Sequence, residues 1–448
     1  MTSSMKATRI DLFSIATPQM RAFHMSWLAF FSVFFAWFGI APLMPIVRED
    51  LGLTQAQIGN TIIASVAVTV FVRILIGPLC DRFGARLTYS TLLILGSLPV
   101  MGIGLARSYE SFLLFRLAIG AIGAAFVVTQ YHTSVMFAPN VVGTANATTA
   151  GWGNLGGGVT QMVMPLLFAG IVMAGFADAS AWRVAMVIPG IVLLVLGFAY
   201  YAFTQDTPEG NHRDLQRTGR RAETVPGEGL SAFLAAAKDP RVWGLFLIYA
   251  ACFGVELTIN NIAALYFHDR FQLGLAAAGV LAGLFGLMNI FARTLGGYLS
   301  DRSGMRWGLQ GRVRLLFLVV LAEGLALMLF SRIGFLVAAV AAMLLFSLFV
   351  QMAEGATYGV VPFVNPRALG AVAGIVGAGG NAGAVAAGFL FRSENLSMEQ
   401  ALLYLGMAVA VASAGALAVR FREAEEIVVH PSRAAVGVER PAVGLAEA

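Results

Sequence analysis

The sequence predicts an all-α membrane protein in which twelve transmembrane helices form two pseudo-symmetric six-helix halves. Three observations carry that prediction: a composition too apolar for water, twelve separate apolar runs of spanning length, and motifs that occur twice. Of 448 residues, 58% are hydrophobic and 12% charged, about half the charged share of a soluble domain. The mean hydropathy is +0.79.

A crossing of the hydrocarbon core takes roughly 20 mostly apolar residues. Runs of that length lie near residues 25–46, 57–80, 87–106, 109–134, 140–172, 182–203, 241–268, 275–299, 312–331, 334–362, 368–392 and 398–421. Lipid satisfies no backbone hydrogen bond, so these runs must cross as helices. The longest are expected to include bent or re-entering backbone. Mixed residues precede the first run, which continues into "APLMP" without a small-residue cleavage pattern and is therefore a span, not a signal peptide. The two cysteines, Cys80 and Cys252, each fall inside a predicted helix. That count predicts packing residues, with no disulfide framework, metal site or cofactor.

The formal net charge is +5, and its distribution describes topology. With both termini on the cytoplasmic face, segments on that face hold 20 of the 29 Lys and Arg, and the opposite segments hold seven, Arg116 among them. The positive-inside rule then sets the orientation in an inner membrane, and no nucleic-acid partner is implied. The polar stretch 204–240 divides six spans from six. The predicted organisation is a first half at 1–203, a cytoplasmic linker at 204–240, a second half at 241–421 and a cytoplasmic tail at 422–448.

The halves repeat. "RILIGPLCDRFGAR" from Arg73 answers to "RTLGGYLSDRSGMR" from Arg293, at an offset of 220. "GWGNLGG" around Asn154 answers to "GAGGNAG" around Asn381, at an offset of 227, and the longer turn "RWGLQGRVR" accounts for the difference. Repeated halves are a signature of secondary transporters, with the substrate site near the midplane between them.

Asp81 and Asp301 lie at helix ends where the macrodipole disfavours an anion. Arg82, Arg86, Arg302 and Arg306 stand close by as partners. Such a charge network either simply holds helix ends or acts as a gate that stabilises one access state. This duplicated motif resembles the loop motif between the second and third helices of the major facilitator superfamily. "RLAIGAIGAAF" from Arg116 resembles that superfamily's fourth-helix motif.

Arg73 and Arg293 are the two intramembrane cations. An Arg inside the bilayer is costly and faces the bundle or water. No acid lies within one helical turn of either, so the sequence predicts two unneutralised guanidinium groups meeting at the centre. The guanidinium fork matches a flat, multidentate oxyanion better than a Lys point charge does. The competing reading pairs each Arg with a nearby acid or carbonyl.

"GWGNLGGGVTQ" contains the spacing of a dinucleotide loop, but that fingerprint needs a soluble strand before it and an acid about twenty residues after. The neighbours here are membrane spans. Small residues instead let helices approach closely, which assigns close packing to Gly151, Gly153, Gly156, Gly157 and Gly158, and to Gly377, Gly379, Gly380 and Gly383. Together with "GIVGAGGNAG", "YAACFGVELTINN" from Tyr249 and "EGATYGVVPFV" from Glu354, this stretch resembles the paired signatures of the nitrate/nitrite porter family.

The resemblance covers nearly all twelve spans and implies the major facilitator fold. It implies an anion clamped by Arg73 and Arg293, with Asn154, Asn381, Tyr249 and Phe253 lining the site. Tyr249 and Phe253 share a helix face by their spacing, although ordinary aromatic packing is the commoner role for Phe253. The amides of Asn154 and Asn381 serve equally well as ties between helices. Buried carboxylates can carry protons, which makes Glu256 and Glu354 candidates for coupling; Glu323 is expected to be structurally paired, and His132 to be a packing residue.

A monovalent anion entering a cell that is negative inside works against about 2.3 kcal/mol per 100 mV. The implied function is therefore secondary active transport of nitrate or nitrite by alternating access, with proton-coupled nitrate uptake as the expected mode and electroneutral exchange for nitrite as the alternative. The expected partners are the small inorganic anion, protons and the lipid bilayer, with the chain acting as a monomer. A sensor or enzyme would need an output domain, a metal constellation or a nucleophile motif, none of which the sequence displays. A facilitator of larger organic anions would call for a wider cavity than glycine-thinned helices suggest.

Overall fold

A computed structural model of the chain describes residues 6–138, 141–217, 229–365 and 369–421. Among these residues, twelve helices are long and apolar enough to cross a membrane. Span 1 runs Pro18–Phe38 and continues through a 3-10 turn into Met44–Leu51. Span 2 is Gln55–Phe83, and span 3 is Ala85–Gly102. Span 4 comes in two pieces, Tyr109–Gly120 and Ala125–Met136, joined by a 3-10 stretch Ala121–Ala124. Spans 5 and 6 are Val142–Met173 and Asp178–Phe203.

After the linker helices His212–Arg217 and Gly229–Ala237, span 7 is Pro240–Phe271. Span 8 is also divided, into Leu275–Leu287 and Ala292–Trp307 around a 3-10 stretch Met288–Ile290. Spans 9, 10, 11 and 12 are Leu309–Arg332, Leu336–Val360, Leu369–Arg392 and Met398–Ala412.

Local signals set several of these boundaries. Thr54 with Gln57, Ser108 with Ser111, and Ser397 with Gln400 form reciprocal capping boxes that start spans 2, 4 and 12. Gly84, at φ +85°, makes the abrupt join between spans 2 and 3, a left-handed backbone that favours glycine. Span 5 departs from expectation: it is one continuous helix through its glycines and Pro165. Packing on neighbouring spans outweighs the weak helix propensity of glycine. A Cβ at Gly153 would strike the Phe30 ring, one at Gly156 the Phe31 carbonyl, and one at Gly158 the backbone of Gly283 and Gly286.

The halves meet where span 5 lies on span 8 and span 2 on span 11. Polar ties join them at the middle and at the far end, meaning the end opposite the chain termini. Gln161 donates to the Asn260 carbonyl at 2.6 Å. At the far end, Arg48 grips Asp269 with two bonds of 2.6 and 2.9 Å, and Gln55 donates to the carbonyls of Ser393 and Leu396.

At the near end, Ala7 pairs in parallel with the turn after span 4. Its N–H donates to the Met136 carbonyl at 3.0 Å, and its carbonyl accepts from Ala138 at 2.9 Å.

Candidate functional site

Two of the interruptions in the spans lie beside the two intramembrane arginines. In the 3-10 stretch of span 4 the carbonyl ladder is rearranged, and the Gly123 oxygen accepts from Nε and Nη2 of Arg73 at 3.4 and 3.3 Å. The Arg73 guanidinium also lies 5.3 Å from the centre of the Phe126 ring. These contacts are electrically neutral: among the described residues, no carboxylate forms an ion pair with Arg73. Arg293 occupies the first turn of the second piece of span 8. Helix starts carry unpaired N–H groups and a positive dipole end, so this location adds to the pull on an anion.

Arg293 is not the bare cation that the sequence predicts. Its Nη1 lies 2.6 Å from Oε2 of Glu354, and its Nη2 donates to the Tyr249 hydroxyl at 3.2 Å. Glu354 reaches across from span 10, so this counter-charge is not visible along the helix of Arg293 itself. The two arginines are therefore asymmetric, with Arg73 held by dipoles and Arg293 by a fully buried carboxylate.

Between the two guanidiniums stand Tyr249 and Tyr358. Both phenols are within electrostatic reach of both arginines. Their rings meet edge to face at 5.3 Å, and Tyr249 stacks on Phe253 at 5.2 Å and 13°. Tyr358 was not singled out in the sequence, although it lies four residues after Glu354 on the same helix face.

Glu256 anchors a second polar group. It accepts from Asn289 at 2.8 Å and from Asn154 at 3.3 Å, and its carboxyl lies near that of Glu354. Asn154 acts here as a tie between spans 5 and 7, and the Asn289 partner comes from the break in span 8. Asn381 is fully buried, and neither amide atom has a partner among the described residues. Glu323, expected to be structurally paired, likewise has both carboxylate oxygens buried and unpartnered there.

Other expectations are corrected by the geometry. Gly151 is not a close-packing position, since a Cβ there would meet only the Asn289 carbonyl at an ordinary 3.8 Å. Gly379, Gly380 and Gly383 do press on span 7, against Phe246, Phe253 and Ala250. Gly157 and Gly377 are moderately tight: a Cβ added at either would lie 3.2 Å from a side chain, that of Asn260 and of Tyr358 respectively.

In the predicted charge network, the side chains of Asp81 and Asp301 lie outside the described residues. Arg86 turns to span 6 and its exit: Nε donates to the Tyr201 carbonyl at 2.6 Å, and the backbone N–H donates to Asp206 at 2.8 Å. Arg82 lies over Phe83, Arg302 donates to the Tyr298 hydroxyl, and Arg306 lies over Trp307. His132 is a satisfied packing residue, bonded to Tyr200 and to the Gln205 carbonyl.

Comparison with known proteins agrees with this architecture. Residues 26–388 match the family model of the Major Facilitator Superfamily. The chain is 43% identical over 403 residues to the high affinity nitrate transporter 2.5 of Arabidopsis thaliana, covering 90% of this chain and 80% of that protein. It is 31% identical over 453 residues to the nitrate/nitrite transporter NrtP of a Picosynechococcus strain, covering 81% of this chain and 83% of that one. Among solved structures, an inward-facing bacterial homolog of the human lysosomal transporter Spinster superimposes with a TM-score of 0.72 at 17% identity, over 92% of this chain and 99% of the other. The nucleoside transporter NupG gives 0.65 at 16% identity, over 90% and 100%. At those identities the structural likeness speaks for the fold.

Proposed function

This chain belongs to the nitrate/nitrite porter family of the Major Facilitator Superfamily, and from that premise we propose that it carries nitrate across the inner membrane by alternating access. The observation that carries the reading is the pair of guanidiniums from matching helices of the two halves, set around Tyr249 and Tyr358. Among the described residues Arg73 has only neutral partners, so a planar oxyanion between the arginines supplies the charge that the site lacks, and the fork geometry suits its shape. Tyr249 and Tyr358 offer hydroxyl donors to the same anion, Phe253 backs the Tyr249 ring, and the open amide of Asn381 is a further donor.

The Arg293–Glu354 pair favours coupling to protons. Nitrate that engages Arg293 competes with the Glu354 carboxylate, and a buried carboxylate deprived of its cation is costly. A proton taken up by Glu354, or shared with neighbouring Glu256, relieves that cost. Anion binding and proton uptake are thereby linked, and two protons per nitrate reverse the electrical penalty of entry. Electroneutral exchange for internal nitrite needs only the arginines and is the rival reading.

The two halves, 1–203 and 241–421, rock about the central site in a single chain acting as a monomer, with linker 204–240 and tail 422–448 cytoplasmic. The excess of Lys and Arg on the side of the termini supports that orientation. The far end, clasped by Arg48 and Asp269, is then the outer face.

Purified protein in liposomes tests the mechanism. Nitrate influx driven by an imposed inward proton gradient without trapped nitrite is the expected result. Influx that requires trapped nitrite and ignores the gradient overturns the symport reading and leaves exchange.

A further inference from the structure

A third buried guanidinium lies outside the site just described. Arg116, counted in the sequence among the charges of the outer segments, is 1% exposed within span 4. Its Nη2 donates to Oδ1 of Asn261 at 2.8 Å and its Nη1 to the Trp37 carbonyl at 3.2 Å, while Nε is buried without a partner. Both acceptors are neutral, and no carboxylate among the described residues forms an ion pair with it. An uncompensated charge in a dry interior costs several kcal/mol. Leu or Met would make the same helix contact without that cost.

The position of Arg116 gives the charge a use. Asn261 follows Tyr249 by twelve residues on span 7, about 18 Å of helix rise toward the outer face. Just beyond it, Ile262, Tyr266 and Asp269 of the same helix join Arg48 and Ile58 in lining a cavity of about 380 Å³ between the halves. Arg116 therefore lies one layer below an outer vestibule and above the central pair of arginines. Arg116 belongs to the first half and Asn261 to the second, as do Arg48 and Asp269. Any rocking that opens the outer end pulls Asn261 away from Arg116.

We propose that Arg116 is an anion waypoint on the outer approach, occupied by nitrate when the outer end opens and returned to Asn261 when it closes. The inference rests on the transport reading above. A guanidinium stripped of the Asn261 oxygen has no carboxylate to turn to, and a nitrate oxygen replaces an amide oxygen in the same geometry while adding the missing charge. On closure Asn261 competes for the same N–H group and releases the anion inward. A neutral acceptor suits this exchange because an Asp at 261 would hold Arg116 permanently.

The test is transport in right-side-out and inside-out vesicles, which separates the KM for nitrate at each face. Arg116→Gln is expected to raise the outer-face KM about tenfold more than the inner-face KM, and Arg116→Lys to recover most of that shift, because charge alone attracts the anion here. Asn261→Asp is expected to raise the outer-face KM selectively as well, and it keeps the proposal testable if Arg116→Gln does not fold. Equal effects on both faces, or an outer-face KM unchanged in Asn261→Asp, would reduce Arg116 to a helix tie and overturn the proposal. A wild-type protein that moves no nitrate fails the parent reading instead, before any variant is compared.

Discussion

Glu354 and Arg293, from spans 10 and 8, form a 2.6 Å ion pair in which the acid is wholly buried. Under the proposed mechanism the pair makes the carboxylate and the transported anion rivals for one cation. Glu354→Gln keeps the shape and removes the titrating group. The expected result is a transporter that still exchanges nitrate for nitrite but no longer accumulates nitrate in response to an imposed pH gradient. Undiminished gradient-driven uptake in this variant would remove Glu354 from the coupling.

Arg73→Lys keeps a positive charge at the site but replaces the fork with a point. The variant is expected to insert and fold, since the native contacts of Arg73 are to a neutral carbonyl and a ring. Nitrate uptake should fall at least about 100-fold in kcat/KM, or roughly 2.7 kcal/mol at 1.36 kcal/mol per decade. Initial rates across a nitrate series measure this, and near-normal values would undo the case for a bidentate grip.

Gly156→Leu tests the close approach of spans 1 and 5. Even a Cβ there runs into the Phe31 carbonyl, so the larger side chain must wedge the spans apart. Overpacking of this kind typically costs about 1–3 kcal/mol. A lowered melting temperature with uptake largely lost is expected. Gly151→Ala is the control, because that position has ordinary room, and it should behave as wild type in both assays.

Much of the architecture is legible in the sequence because hydropathy and positive charge act over whole segments. The apolar runs locate all twelve spans, and the duplicated Arg motif marks Arg73 and Arg293 as equivalent positions facing one centre. The missed features depend on contacts between distant segments. Glu354 is evident as an intramembrane acid, but its pairing with Arg293 depends on how span 10 lies on span 8. Arg116 resembles a loop charge because it comes soon after a helix start, and only packing reveals that it is enclosed. The break in span 4 had a signal in Gly120 and Gly123. That in span 8, at "MNI", lacks proline or glycine. Gly151 shares the pattern of its neighbours, yet its direction on the helix leaves ordinary van der Waals room around it.

The pairing of Ala7 with Met136 and Ala138 has a practical consequence. It fixes the amino-terminal segment to the turn between spans 4 and 5 by two backbone bonds, so a fluorophore placed there is carried rigidly with the first half. A second dye at the exposed Trp307 position of the other half turns the distance between them into a direct gauge of the rocking motion, readable one molecule at a time.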